Sequence, residues 1–295
     1  REMKLSKLLE NAVDGLPFPQ AYVIAEIGIN HEGNFEICAE LVRAAARAGC
    51  DAIKLQTINA DEAYTKNSES YNLFKNSKLS LNETRHIFRL AKSLGLDAIS
   101  TSADDQSLEQ VERLNPAAHK ISSGLLNHTP LIKKAAQYGR PLIISTGLAT
   151  LNDIKIALEV CYAAQNKKIV LLQCTSLYPC PDDDVNLNAM HELKNVFDHI
   201  TGYSDHTTDE LACLAASVLG AKVIEKHFTF DSSRPGFDHH ISLMPLEMGD
   251  MVLKLRRTEK MLGAKQKMLS TEQYDAREKY LRVVVASKNL ERGSI

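Results

Sequence analysis

Over most of its length the chain alternates between short β-branched apolar runs and longer segments whose apolar residues recur every three or four positions. The runs predict strands over 21–29, 52–56, 97–101, 118–122, 141–146, 169–174, 200–203 and 222–227. The longer segments predict amphipathic helices over 35–48, 81–94, 108–114, 129–138, 151–164 and 208–219, and a last helix over 245–262. Gly49, Gly95, Gly139 and Gly220 close helices just before the next strand, the stop expected ahead of a buried parallel strand. Eight units of about thirty residues fit a (β/α)8 TIM barrel in count and length. An open doubly wound sheet would have fewer strands, and Gly28-Ile29-Asn30-His31-Glu32-Gly33 is not its phosphate loop.

Against that apolar pattern, the polar residues at the strand ends stand out. The first strand carries Glu26, Asn30 and His31, and the second Lys54 and Gln56. The third ends in Ser100-Thr101-Ser102, the fourth in Lys120 and Ser123, the fifth in Ser145-Thr146-Gly147, and the sixth in Gln173 and Thr175, with Tyr178 beyond. An unpaired ammonium in a central strand is costly. Lys54, Lys120 and Lys226, converging with several hydroxyls on one face, therefore suggest a bound polyanion, most simply one carrying phosphate and carboxylate. Two further runs, Gly202-Tyr203-Ser204-Asp205-His206-Thr207 and Glu225-Lys226-His227-Phe228-Thr229, lie about one βα unit apart. Neighbouring parallel strands would aim His206 and His227 at one metal ion, with Asp205 and Glu225 as orienting or acid/base partners.

Composition narrows the setting. The 295 residues carry a formal charge of −2, so there is no general attraction to nucleic acid or to an anionic membrane. Hydrophobic residues make up 44% and aromatic residues 6%, with no tryptophan, which implies an aliphatic core. No apolar run reaches the length of a membrane span and no signal-peptide pattern opens the chain, so a cytoplasmic protein is expected. Cys38, Cys50, Cys161, Cys174, Cys180 and Cys213 are scattered, as reduced thiols are.

The order of motifs resembles a known family. The series runs Ala25-Glu26-Ile27-Gly28-Ile29-Asn30-His31, Lys54-Leu55-Gln56-Thr57, Ser100-Thr101, Lys120-Ile121-Ser122-Ser123-Gly124, Ser145-Thr146-Gly147 and Cys174-Thr175-Ser176-Leu177-Tyr178-Pro179. The two histidine runs and Arg234-Pro235-Gly236-Phe237-Asp238-His239 complete it. From about 21 to 262 this resembles the sialic acid synthase (N-acylneuraminate synthase) family, with its legionaminate, pseudaminate and spore-coat polysaccharide relatives.

The resemblance implies a metal-dependent condensation of phosphoenolpyruvate with an N-acyl amino sugar, N-acetylmannosamine or similar. Phosphate is released and a nine-carbon 2-keto sugar acid is formed. By position His206 and His227 match metal ligands, for Mn²⁺ first, with Mg²⁺ or Co²⁺ as alternatives. Lys54, Thr101, Lys120, Ser123, Ser145 and Ser204 match phosphoenolpyruvate contacts. Glu26, Gln56, Tyr178 and Asp238 match sugar contacts. Glu26, Glu225 and His227 are the catalytic candidates.

The resemblance also implies an N-terminal extension over 1–20, a catalytic barrel over 21–265, and a linker with a truncated C-terminal antifreeze-like (SAF) domain over 266–295. The family unit is a homodimer in which the partner's antifreeze-like domain covers the barrel mouth, so the 295-residue chain is expected to condense the sugar poorly without that domain. Two further departures are Leu125, where many members have Glu, and Ser176, where the sialic acid branch can carry Asn. A metal-dependent barrel aldolase using the strand lysines, and a barrel that binds ligand without turnover, are the competing readings.

Overall fold

The computed structural model describes residues 4–13, 20–263 and 266–293. Eight parallel strands close into a barrel in chain order. They are β1 (Tyr22–Gly28), β2 (Ala52–Gln56), β3 (Asp97–Thr101), β4 (His119–Ile121), β5 (Leu142–Ser145), β6 (Ile169–Gln173), β7 (Ile200–Asp205) and β8 (Val223–His227). The helices are α1 (Lys4–Val13), α2 (Phe35–Arg47), α3 (Ala60–Ala63), α4 (Glu69–Asn76), α5 (Leu81–Ser93), α6 (Asp105–Glu112), α7 (Thr129–Gln137) and α8 (Leu151–Ala163). They continue as α9 (Ala189–Phe197), α10 (Leu211–Val218), α11 (Pro245–Leu262) and α12 (Thr271–Tyr280). The predicted (β/α)8 TIM barrel is the fold.

Local chemistry sets most boundaries. Ser80 and Thr150 close capping boxes at the starts of α5 and α8, and Asn34 caps α2. Asp104 accepts the Ser107 N–H at 2.7 Å, which starts α6 three residues earlier than the apolar period suggests. The four glycines that end helices all adopt positive φ, between 69° and 99°, a region open mainly to glycine. Helix α9 was not predicted; only Met190 and Leu193 of its apolar residues are buried, too short a stripe to stand out.

The barrel interior is layered. Ile24, Ala52, Ile99, Ala118, Ile143 and Val223 belong to one buried apolar cluster. Two residues further along each strand, on the same face, stand Glu26, Lys54, Thr101, Lys120, Ser145 and Glu225. The period-2 alternation thus puts carbon low in the barrel and chemistry at the C-terminal mouth. Helix α1 joins the apolar layer: Leu5 and Leu8 are buried in the same cluster, worth about 1.5–3 kcal/mol each. The Leu5 N–H and the Tyr22 hydroxyl both donate to Asp97 Oδ2, at 3.0 and 2.9 Å.

Residues 262–295 form a second unit. Within it α12 is capped by Ser270 and buries no residue, and Val283, Val284 and Val285 are exposed.

Candidate active site

The polar layer opens into a cavity of about 270 Å³ at the C-terminal mouth. Glu26, Lys54, Gln56, Thr101, Lys120, Ser123, Ser145, Tyr178, Ser204, His206, Glu225 and His227 all line it. Eight strand ends are therefore needed to assemble the predicted set. Asp238 lies on the loop after β8, its Oδ2 at 3.6 Å from His227 Nδ1.

Two lysines and two glutamates form the floor. Lys54 Nζ lies 3.1 Å from Glu26 Oε2, 3.2 Å from Glu225 Oε1 and 3.5 Å from Thr101 Oγ1. Lys120 Nζ donates to Ser145 Oγ at 2.7 Å and lies 3.5 Å from Glu225 Oε1. The Ser204 hydroxyl donates to Glu225 Oε1 at 3.0 Å, and the Gln56 amide to Glu26 Oε1 at 3.0 Å. Burial pushes both carboxyls up, yet they part company. At Glu225, Lys120 and Lys54 outweigh burial and hold the group down at about 2. At Glu26 burial wins over Lys54, Glu225 adds to it, and the group rises to about 7. Burial also lowers Lys120, whereas Glu225 and Glu26 outweigh burial at Lys54 and keep it ionised. The floor thus holds one firmly ionised carboxylate and one that carries a proton near neutrality.

At the end of β5 the backbone of Gly147 packs closely against Ser123 and Cys174. The Gly147 N–H points at Ser123 Oγ, 2.9 Å away, and Cys174 Sγ is 3.3 Å from the same oxygen. A Cβ at Gly147 would sit 2.7 Å from Ser176 Oγ and 2.9 Å from Cys174 Sγ, so only glycine fits unchanged.

The two imidazoles come together as their spacing predicts, with ring centroids 5.6 Å apart. Gly202 lets β7 approach β8, since a Cβ there would strike the Val223 carbonyl and lie 2.9 Å from Val223 Cβ. His206 Nδ1 donates to the Thr175 carbonyl at 2.6 Å, which fixes the tautomer; Nε2 keeps its lone pair and accepts the Tyr178 hydroxyl at 3.1 Å. His227 Nδ1 is buried with no hydrogen-bond partner. Burial lowers both imidazoles, and His206 and three lysines lower His227 further, so both rings are neutral near pH 7. Among the described residues, no group of three His, Cys, Asp or Glu side chains is arranged to hold a metal ion.

Three sequence readings need correction or refinement. Lys226 does not join the anion pocket. Alternation turns it to the outer face of β8, where it pairs with Asp205 Oδ2 at 2.6 Å, both side chains fully buried. Asp205 likewise points outward and takes further hydrogen bonds from the Tyr203 hydroxyl and from Thr207 N and Oγ1. Leu125 packs against a buried apolar cluster and is not among the residues lining the cavity. Conversely, the apolar part of the lining, Ile58, Tyr64 and Phe74 after β2 and Leu148 after β5, was not foreseen. Tyr64 and Phe74 stack at 5.3 Å on the long segment between β2 and α5; nothing in their spacing marks them as site residues.

Cationic and hydroxyl groups, two split carboxylates and paired imidazoles thus gather at the C-terminal mouth, the face on which (β/α)8-barrel enzymes carry their active sites. The chain belongs to the NeuB family, whose pattern matches residues 41–267. It is 37% identical to the N,N'-diacetyllegionaminic acid synthase of Legionella pneumophila, covering 92% of this chain and 81% of that one. It is 32% identical to the human N-acetylneuraminate-9-phosphate synthase, covering 93% and 80%. The crystal structure of N-acetylneuraminic acid (sialic acid) synthetase from Leptospira borgpetersenii superposes with a TM-score of 0.83 at 30% identity, covering 90% of this chain and 93% of that one. No described helix is long and apolar enough to cross a membrane.

Proposed function

We propose that this protein condenses phosphoenolpyruvate with the aldehyde of an open-chain N-acyl amino sugar, giving a nine-carbon 2-keto sugar acid and phosphate. The observation that carries this reading is one cavity holding two lysines and several hydroxyls beside a protonatable Glu26 and two neutral imidazoles. The names of the two synthases, both for acylated nine-carbon sugar acids, support it.

Lys120, Lys54, Thr101, Ser123, Ser145 and Ser204 hold the phosphate and carboxylate, fixing the methylene carbon against the aldehyde. Gln56, Tyr178 and Asp238 orient the sugar. The new C–C bond joins the methylene carbon to the aldehyde carbon, and the aldehyde oxygen takes a proton from Glu26. Glu225, ionised throughout, stabilises the oxocarbenium-like centre left at C2. Water adds at C2 and gives its proton back to Glu26. The C–O bond to phosphate then breaks, its electron pair leaving with phosphate, while the C2 hydroxyl gives its proton to the departing phosphate and becomes the keto group.

The donor set suits a divalent ion with two protein nitrogens. Both imidazoles are neutral, His206 presents Nε2, and His227 carries a buried nitrogen without a partner. His206 and His227 would hold the ion, which when bound supplies Lewis-acid polarisation of the aldehyde. The resemblance adds Mn²⁺ and a homodimer to the proposal.

The test is phosphate release from phosphoenolpyruvate with a panel of N-acyl mannosamine-like sugars, with and without chelator. Sugar-dependent release, abolished by His206→Ala or His227→Ala with the fold intact, is expected. Borohydride trapping of a lysine with pyruvate, together with no sugar-dependent release, would point to a Schiff-base aldolase instead and overturn the proposal.

A further inference from the structure

The loop that brings Asp238 to His227 has hydrogen bonds of its own, among them Thr229 N to the Leu243 carbonyl and Thr229 Oγ1 with His239 Nδ1, but the Asp238 N–H is held from outside it. The loop is gripped from across the barrel seam by the turn between β1 and α2. Asn30 is buried, and its amide is fully used. Nδ2 donates to the Phe228 carbonyl at 3.1 Å and to Ser242 Oγ at 3.0 Å. Oδ1 accepts the Asp238 N–H at 3.2 Å. Ser242 passes the grip on by donating to the Asp238 carbonyl at 2.6 Å. Phe228 O can only accept and Asp238 N can only donate, so the amide has one workable orientation.

Two residues further along the turn, Glu32 makes a second grip. Its Oε2 accepts from Arg234 at 2.9 Å and its Oε1 meets His239 Nε2 at 3.0 Å. Backbone on both sides of the contact is held in the left-handed region: Glu32 at φ 53° and Phe237, next to Asp238, at φ 52°. Non-glycine residues keep such values only where their surroundings over-determine them. The turn thus holds the Asp238 N–H directly and the Asp238 carbonyl through Ser242, and it brackets that residue through Arg234 and His239.

We propose that Asn30 is a positioning residue for the sugar half-site: it sets the place of the Asp238 carboxylate without touching substrate itself. Glu32 supports the same loop from the other side. This rests on the synthase reading above. The hydrogen bonds made by Asn30 reach no group that holds the phosphate or carboxylate of phosphoenolpyruvate. Its loss should therefore fall on one substrate only, a split that general destabilisation of the barrel would not produce.

The experiment is a double-mutant cycle on steady-state kinetics with Asn30→Ala, Asp238→Ala and the pair. Each single change should raise KM for the sugar by about tenfold while KM for phosphoenolpyruvate moves less than about twofold. The double variant should be no worse than Asp238→Ala alone. Ser242→Ala, which cuts only one arm of the grip, should give a smaller change in the same direction and covers the case in which Asn30→Ala does not fold. Equal rises in both KM values, or multiplying effects in the double variant, would overturn the proposal. A wild-type chain that releases no phosphate with any sugar would instead sink the synthase reading, a result visible before any variant is made.

Discussion

Replacing Lys226 by Met tests how β7 and β8 are held together behind the two histidines. The Lys226 ammonium sits 2.6 Å from Asp205 Oδ2 and 2.6 Å from the Thr207 carbonyl, and neither charged side chain has any exposed surface. Methionine matches the length and apolar stem of lysine, so the main change is loss of a charge. Asp205 would keep the Tyr203 hydroxyl and the two donors of Thr207, which supply three hydrogen bonds but no countercharge. Removing one partner of a buried pair costs about 3–5 kcal/mol, most of it the penalty of the charge left behind. For a chain of this length that corresponds to a fall in Tm of roughly 5–8 °C. Lys194→Met, at an exposed i,i+4 pair with Asp198, supplies the control, with no measurable change in Tm. The double variant Lys226→Met/Asp205→Asn removes both charges but keeps a carbonyl oxygen for the Tyr203 hydroxyl and Thr207, and should recover most of the loss, because no uncompensated charge is left buried. Thermal melts followed by circular dichroism measure all three. A Lys226→Met melt within 2 °C of wild type would refute the assignment of a dry, charged contact.

The other predictions concern the cavity. Lys120→Met removes the ammonium beside Ser145 and Glu225 and should weaken phosphoenolpyruvate binding by about 10–100-fold, with sugar binding little changed; equal losses in calorimetry would contradict the division of the site. Gly147→Ala forces a Cβ onto Ser176 Oγ and Cys174 Sγ, so KM for phosphoenolpyruvate should rise and Tm fall by a few degrees, for an overpacking cost of about 1–3 kcal/mol. A variant with wild-type KM would contradict that expectation. Glu26 keeps its proton up to about pH 7 in the folded chain, against an ordinary 4.5. The folded chain therefore binds the extra proton between those values; the contribution of Glu26 to stability is complete below about 4.5 and is lost as pH rises through about 7. Glu26→Gln should flatten that pH dependence by up to about 3 kcal/mol in urea melts, and remove the limb of the rate profile near neutrality; an unchanged stability slope would count against the shifted carboxyl.

Much of this protein was legible in one dimension. Strand and helix periods, glycine stops and eight-fold repetition define a barrel because burial on both faces of a parallel strand demands continuous apolar runs. The same logic makes the interruptions informative. Glu26, Lys54, Thr101, Lys120 and Ser145 stand at strand ends where carbon is expected, and all of them line the cavity. The histidines could be paired from spacing alone, since one βα unit returns the chain to the neighbouring strand.

What the sequence determined by itself was therefore the class of fold, the end of the barrel that carries chemistry, and most of the residues found there. Only the tertiary structure decided which charges act together. Lys226 is one residue from His227 yet faces the other way, because a strand turns successive side chains to opposite faces. Glu26 and Glu225 are the same residue type on adjacent strands, but distances of a few ångströms to Lys54 and Lys120 send one carboxyl up to about 7 and the other down to about 2. The grip of Asn30 on Asp238 joins positions 208 residues apart in the chain. Desolvation and Coulomb forces depend on separation in space, and that separation exists only once β1 has closed against β8.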